Sequence, residues 1–253
     1  MSENLSIQSK WSNEMTQSDI KDWRYVVNTV FGPFCTEEYF KRKYLDNIYG
    51  PSLLTVAYVD KKPVGADALW RNDIDGKEAY QTTDTSVLAE YRRRGIYSTM
   101  LQGHQGLSRL EGKLLYGFPN HNSLPCRIRL GWDCLLLYKS VVFFPFIFLL
   151  NLQFIDSGYA AWWLQSRGRI CYLKYMGKYC LVKYTSVNTV VCILGRVDEK
   201  TALCFPRMKG LKTMAYHYSD RSSVIGRHSR TVAVVHRDGG KRTDVGYWKA
   251  DFV

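Results

Sequence analysis

The sequence predicts an α/β fold with a strand-rich C-terminal half. Two observations predict it. Residues 19–132 alternate between segments that repeat apolar residues at helical spacing and segments rich in β-branched residues, whereas residues 133–253 hold short aromatic and β-branched runs separated by turn residues. With 46% hydrophobic and 23% charged residues, the chain has the composition of a globular protein. We therefore expect a polar N-terminal arm over residues 1–18, a helix-and-strand domain over 19–132 and a strand-rich region over 133–253.

Two helices open the predicted domain. The apolar residues of the first, over 19–31, recur at the spacing of one helix face: Ile20, Trp23, Val26, Val27 and Val30. Ser18 or Asp19 is placed to cap this helix. The second helix covers 36–48, with Thr36 as its cap and acidic residues in its first turn.

Strands and helices then alternate in the order βββαβα. The predicted segments are 53–59, 64–70, 78–88, 96–110, 114–118 and 123–130. The first two strands form a hairpin. In the third strand Thr82, Asp84 and Ser86 share one face, provided that no bulge intervenes.

The C-terminal half is predicted to hold mainly strands, over 172–175, 179–184, 189–194, 212–218 and 231–235. Before them, residues 141–150 form the most apolar run of the chain, broken by Pro145 and too short to span a membrane. We interpret this run as a buried strand pair or helix. The alternative is a peripheral membrane or partner contact, which Lys139 and the basic charge of the chain would support.

Charge and cysteine content limit the classes of function. The 35 Lys and Arg residues exceed the 23 Asp and Glu residues, and the net charge of +12 attracts phosphorylated ligands, nucleic acid or anionic membranes. No zinc-finger spacing, RGG repeat or helix-turn-helix pattern accompanies that charge, so a nucleic-acid partner is not expected. The seven cysteines include no CxxC pair and the N-terminus is polar, which predicts reduced thiols and a cytoplasmic location.

The segment Tyr91–Leu101 is a candidate anion site. It follows a strand and opens a helix, and the first amides of a helix are unpaired and carry partial positive charge. Gly95 lets the backbone approach a ligand closely, and the run Arg92–Arg94 adds charged donors. A solvated basic turn before an ordinary helix is the alternative.

At this point the chain resembles the GNAT superfamily of acetyltransferases. Arg92–Tyr97 is similar to its pyrophosphate loop, which reads Gln or Arg, two residues, Gly, one residue, then Gly or Ala; Tyr97 departs from the last position. A second family segment follows the fifth strand, and four residues here fall at its offsets: Asn120, Ser123, Gly131 and Trp132. The resemblance covers about residues 19–132 and is specific over these two segments. It implies a mixed, mostly antiparallel sheet flanked by helices, and it extends to the larger, polysaccharide-cluster-type members. For residues 133–253 the resemblance is weaker and implies a second, partial domain of the same kind that forms the acceptor side.

The resemblance also implies site residues. Cofactor contacts are expected from the backbone of the fourth family strand, the loop with the start of its helix, and the second segment: Val87, Leu88, Arg92, Arg93, Arg94, Gly95, Ile96, Tyr97, Ser98, Asn120, Ser123 and Arg127. Many members place a proton-donating Tyr where this chain has Arg127, and Arg cannot serve as an acid near neutral pH. Tyr138, Tyr116 or water is the substitute acid. For Arg127 the candidate roles are contact with a cofactor phosphate or an acidic acceptor, with an exposed helix charge as the alternative.

Candidate bases are few. Asp84 is the carboxylate of its strand, although a structural role is an equal alternative. Of the nearby imidazoles, His121 is preferred to His104 because it follows Asn120. No HExxH or similar spacing is present, so no metal is expected.

The sequence therefore predicts a cytoplasmic acetyltransferase. Acetyl-CoA is the expected co-substrate and a small-molecule amine or hydroxyl the acceptor, with an amino sugar suggested by the resemblance. Two alternatives stay open: a non-catalytic module of the same fold, and a basic protein bound to a membrane surface or nucleic acid.

Overall fold

A computed structural model describes residues 4–74, 76–104, 107–143, 152–185, 190–210, 214–219 and 227–237, with side chains described up to 134 and over 152–210. The chain divides into two compact units. The first ends at Cys134 and also takes in Val235–Arg237, and the second begins at Leu135. This division falls close to the predicted boundary at Trp132, although the predicted C-terminal region included Val235–Arg237.

The first unit is built on a mixed sheet in the order β1-β2-β3-β4-β5. Its strands are β1 (Leu5–Trp11), β2 (Leu53–Val59), β3 (Lys62–Arg71), β4 (Ala79–Val87) and β5 (Leu114–Gly117). Neighbours run antiparallel except β4 and β5, which are parallel. Val235–Arg237, the end of β11 (Arg227–Arg237), pairs antiparallel with β5. The predicted strands between 53 and 118 are all present.

Strand β1 corrects the prediction of a polar N-terminal arm. Leu5–Trp11 pairs antiparallel with β2 along its whole length. Because β1 lies at the sheet edge, most of its side chains keep contact with water, and a polar composition is compatible with pairing there. The alternation of Leu5, Ile7 and Trp11 with polar residues is the signal that the sequence offered.

Helix α1 (Gln17–Phe31) buries the predicted apolar face, including Ile20 and Trp23. Its cap is Thr16, not Ser18 or Asp19. The Thr16 hydroxyl accepts from the Asp19 amide while the Asp19 carboxylate accepts from the Thr16 amide, so the two residues form a capping box.

The second predicted helix is short and changes its pitch. Thr36 caps α2 (Glu37–Phe40) as predicted, and the chain continues as a π-helical turn over Lys41–Leu45. This wider turn brings Lys43 into the interior, where its side chain is 0% exposed.

Two further helices flank the sheet of the first unit. Helix α3 (Ile96–Gly103) ends earlier than the predicted 96–110, and α4 (Leu124–Arg129) lies within the predicted 123–130. A Cβ on Gly65 of β3 would lie 3.1–3.2 Å from side-chain atoms of Ile96 and Met100, so this glycine lets α3 approach the sheet. The N-terminal part of α3 thus packs closely against β3.

The second unit is rich in strands, as predicted. They are β6 (Asp133–Phe143), β7 (Ile170–Tyr175), β8 (Lys178–Tyr184), β9 (Val190–Val197) and β10 (Met214–Ser219), in the order β6-β10-β9-β8-β7. Short helices α5 (Ser157–Tyr159) and α6 (Glu199–Leu203) accompany them. A buried apolar cluster fills this unit: Leu152, Cys171, Cys180, Val182, Val191 and Ile193.

Of the apolar run 141–150, Val141–Phe143 ends β6 and residues 144–150 lie outside the described part of the chain. The two interpretations of this run therefore both remain predictions. In the parts of the chain that the structure describes, no helix has the length and apolar character needed to cross a membrane.

Candidate functional site

The sheet of the first unit opens where β4 and β5 stop pairing. Their parallel pairing ends at Thr82 and Gly117, whereas β4 continues to Val87. A Cβ on Gly117 would lie 2.1 Å from Thr82 Oγ1, so any larger residue at this last contact forces the Thr82 side chain to move. Within the described residues, Thr83–Val87 pair with β3 but with no strand on the β5 side. Ligands of α/β sheets commonly bind at such carboxyl ends of parallel strands.

A β-bulge lies on β4 at this opening. Ala66 pairs with Ser86 and Ala68 with Thr83, so Asp84 and Thr85 together face Asp67. Asp84 has φ 51°, and both Thr83 and Asp84 contact Lys43. The bulge breaks the alternation on which the predicted shared face of Thr82, Asp84 and Ser86 depended, so the condition of that prediction is not met.

The Asp84 carboxylate is held by the core. Lys43 Nζ lies 3.1 Å from Asp84 Oδ2, and the Tyr44 hydroxyl donates to the same oxygen. The ammonium also lies 5.0–5.5 Å from the centres of the Tyr39, Tyr44 and Trp70 rings. This buried ion pair favours the structural role of Asp84 over its predicted role as a base.

The predicted loop enters α3 through two left-handed residues. Arg93 has φ 65° and Gly95 has φ 79°, and the following helix has no side-chain cap. Ile96 is buried, whereas the side chains of Arg92–Arg94 are exposed. Left-handed residues just before a helix turn successive amides toward a common point. These backbone angles are compatible with the predicted anion site, and Tyr97 and Ser98 lie in the first turn of α3.

The backbone at the end of β4 is already partly used. The Leu88 amide donates to Val64 O at 2.9 Å, and Leu88 O accepts from the Tyr91 amide. Val87 O accepts from Arg92 Nε at 3.0 Å. The Leu88 amide is therefore engaged, whereas the Val87 and Leu88 carbonyls each keep a second lone pair for a ligand chain that pairs as predicted.

Asn120 organises the turn that precedes α4. Its Oδ1 accepts from the amides of Asn122 and Ser123, both at 3.0 Å, and the Ser123 hydroxyl donates to it as well. Asn120 and Ser123 are thus engaged in local structure. His121 lies in the same turn with an exposed side chain.

Arg127 and Tyr97 bring the two motif segments together. Arg127 is 3% exposed, so the alternative of an exposed helix charge is wrong. Its guanidinium carbon lies 5.9 Å from the Tyr97 ring centre and 4.9 Å from that of Trp132. Burial raises the pKa of Tyr97 to about 12 despite the opposing charge of Arg127, so the phenol stays protonated at neutral pH.

A buried polar cluster that the sequence did not indicate lies at the C-terminal end of α3. His104 is 3% exposed, and its Nε2 lies 3.1 Å from Thr55 Oγ1 and 3.5 Å from Asp67 Oδ2. Burial lowers the pKa of His104 although Asp67 opposes the shift, so the imidazole is neutral at pH 7. His104, the less favoured imidazole in the sequence, is thus the one that contacts a carboxylate.

Tyr138 lies on β6 in the second unit, and its side chain is not among those described. Tyr116, the other substitute acid, is fully buried and donates to Asn72 O at 3.2 Å. Across the described ranges, no three His, Cys, Asp or Glu side chains come together to hold a metal ion.

Comparison with known proteins supports the fold. No family model and no curated protein sequence matches the chain. Two GCN5-related N-acetyltransferase structures are similar to it. That from Kribbella flavida has a TM-score of 0.59 and 12% identity, covering 93% of this chain and 71% of its own. That from Anabaena variabilis has a TM-score of 0.57 and 12% identity, covering 91% and 73%.

A conserved protein of unknown function from Enterococcus faecalis is similar as well, with a TM-score of 0.60 and 10% identity over 93% of this chain and 73% of its own. The chain therefore has the fold of the GCN5-related N-acetyltransferases, which confirms the fold predicted from the resemblance. At these identities the likeness concerns the fold alone.

Proposed function

We propose that the chain transfers an acetyl group from acetyl-CoA to an amine or hydroxyl of a small molecule. The observation that carries the proposal is the loop before α3. Its two left-handed residues and the uncapped helix lie just after the strand that extends beyond its β5 partner. A cytoplasmic location and an amino-sugar acceptor remain predictions from the sequence.

The loop suits the pyrophosphate of CoA in charge and shape. The unpaired first amides of α3 supply donors, and the helix dipole adds partial positive charge at its N-terminus. Arg93 and Arg94 lie exposed beside them and supply full charges. Binding is therefore expected to depend more on the backbone geometry at Gly95 than on any one arginine.

The transfer itself needs positioning and two proton movements. An acceptor nitrogen or oxygen attacks the thioester carbonyl, its bond to the acetyl carbon forms, and the carbon–sulfur bond breaks to release CoA thiolate. The acceptor loses one proton and the thiolate gains one. Arg127 cannot donate a proton to the thiolate, and Asp84 is paired with Lys43. The simplest route is therefore that water takes the proton from a well-positioned acceptor and that water protonates the thiolate.

Isothermal titration with acetyl-CoA tests the cofactor. Gly95→Val forces a β-branched residue into φ 79° and is expected to abolish binding. Gly103→Ala, at the other end of the same helix, has ordinary space for its Cβ and is the matched control. Arg93→Gly keeps the left-handed backbone while removing a charge, and it is expected to weaken binding only modestly. Absence of wild-type binding at millimolar ligand would contradict the proposal.

A non-catalytic module of the same fold is the second candidate. The engagement of Asp84 by Lys43 and Tyr44 favours it, because a base in the cleft would need a free carboxylate. Thioester cleavage in the presence of a panel of amines and amino sugars separates the two: acceleration by an acceptor supports the enzyme, and binding without acceleration supports the module.

A further inference from the structure

The guanidinium of Arg127 is a buried cation with unmet donors. Its Nε and Nη1 are enclosed and have no hydrogen-bond partner. In the part of the chain that the structure describes, no carboxylate lies within ion-pair distance of it. Burying a charged group without such partners is costly, and proteins keep it where a ligand or counter-ion completes the site.

A second unmet donor lies beside the first. The Tyr97 hydroxyl is also enclosed and has no hydrogen-bond partner, and its ring packs against the Arg127 guanidinium at 5.9 Å. Tyr97 comes from the first turn of α3 and Arg127 from α4, so two separate elements direct donors into one place. The phenol oxygen can accept from the guanidinium, which leaves the phenol hydrogen and the other guanidinium N–H groups as donors, and an acceptor with negative charge would satisfy these.

We propose that Arg127 and Tyr97 bind a carboxylate group of a substrate. This inference rests on the proposed function and names a chemical feature of its substrates. A singly charged carboxylate is favoured over a phosphate because the buried Asp67 carboxylate already acts on Tyr97 and would repel a doubly charged group more strongly, whereas the exposed arginines of the loop are the groups that suit phosphates. The Trp132 ring also packs against the guanidinium, with 4.9 Å between the ring centre and the guanidinium carbon.

The carboxylate has two possible sources, which share this chemistry. It belongs either to the acyl chain of the donor, as in a dicarboxylic acyl-CoA, or to the acceptor, as in an amino acid. The Tyr97 hydroxyl and the Arg127 guanidinium are both enclosed, so a ligand that binds them has to displace side chains that now cover them.

Two titrations on the whole chain test the inference and separate the sources. The first compares acetyl-CoA with succinyl-CoA. The second compares amino acids with the amines that lack only their carboxylate, in the absence of CoA. In one of the two comparisons, we expect the ligand with the carboxylate to bind about tenfold or more tightly than the ligand without it. This difference is the size of one or two charge-assisted hydrogen bonds.

Three variants locate that preference. Arg127→Gln and Tyr97→Phe each remove hydrogen-bond donors and are expected to reduce the ratio of the two affinities. For Arg127→Gln the ratio is expected to fall to about one. Arg129→Gln removes an exposed charge from the same helix and is expected to leave it unchanged. Tyr97→Phe, a single hydroxyl change, keeps the test sound if Arg127→Gln unfolds in a thermal melt.

The outcomes are distinct. If neither CoA thioester binds, the proposed function fails, and the carboxylate inference is decided by the amino-acid arm. Equal affinities within both pairs, or a preference that Arg127→Gln retains, overturn the inference even when acetyl-CoA binds normally.

Discussion

Replacing Lys43 by methionine tests whether Asp84 serves the core. The Lys43 ammonium is fully buried, 3.1 Å from Asp84 Oδ2 and 3.2 Å from Thr83 Oγ1. Methionine retains most of the length and apolar contact of lysine but removes its charge. The variant leaves the Asp84 carboxylate, 9% exposed, with the Tyr44 hydroxyl and no cation.

Removing one partner of a buried ion pair costs about 3–5 kcal/mol, because the remaining charge is uncompensated. We expect Lys43→Met to lower the free energy of unfolding of the first unit by this amount. Adding Asp84→Asn to Lys43→Met removes the unpaired charge, and the double variant is expected to regain about 1–3 kcal/mol.

Equilibrium urea unfolding followed by tryptophan fluorescence measures these free energies, because Trp23 and Trp70 lie in the same core. A loss below about 1 kcal/mol for Lys43→Met, the value of an exposed ion pair, would refute the reasoning. Asp84→Asn alone decides the catalytic alternative: a large loss of turnover with unchanged unfolding free energy would make Asp84 the base.

Three further changes test the fold around the site. Gly117→Ala is expected to cost about 1–3 kcal/mol because its Cβ meets Thr82 Oγ1, and Thr82→Ala in the same chain should relieve most of that loss in thermal unfolding. Because burial lowers the pKa of His104, protonation favours the unfolded chain, and stability is expected to fall below about pH 6.5 by up to about 1.4 kcal/mol per pH unit. His104→Asn should flatten that dependence in urea titrations at pH 7 and 5.5; an unchanged slope would contradict it. Thr16→Ala removes the cap of α1 and should cost about 1 kcal/mol by the same titration, with no effect expected from Ser18→Ala.

Local patterns predicted most elements of the first unit. The apolar spacing of α1, the Thr36 cap and the hairpin β2–β3 depend on residues close together in sequence. Strand β1 was missed because an edge strand tolerates polar side chains and takes its partner from residues almost fifty positions away.

The bulge on β4 could not be predicted from its own strand. The residues of the bulge contact Lys43, which lies in a π-helical turn and is buried, and lysine is rarely buried without a partner. Lys43 and Asp84 meet only in the tertiary structure. Because of the bulge, the simple alternation that placed Thr82 and Ser86 on one face with Asp84 no longer applies.

Some residues of the candidate site could likewise be predicted from local sequence, and others could not. The loop that we propose as an anion site consists of glycine, arginine and the start of a helix, which are close together in sequence, so Arg92–Gly95 could be identified from the sequence. The enclosure of Arg127 depends on Tyr97 and on Trp132, and the contact of His104 with Asp67 joins α3 to β3. Such burial is decided by packing between elements, which spacing alone does not describe.

A crystal structure of the chain with bound CoA tests the central claim most directly. We predict that the pyrophosphate oxygens accept hydrogen bonds from the backbone amides between Arg93 and Ser98, with the pantetheine arm beside the part of β4 that extends beyond β5. CoA bound elsewhere on the chain, with these amides facing solvent, would contradict the claim.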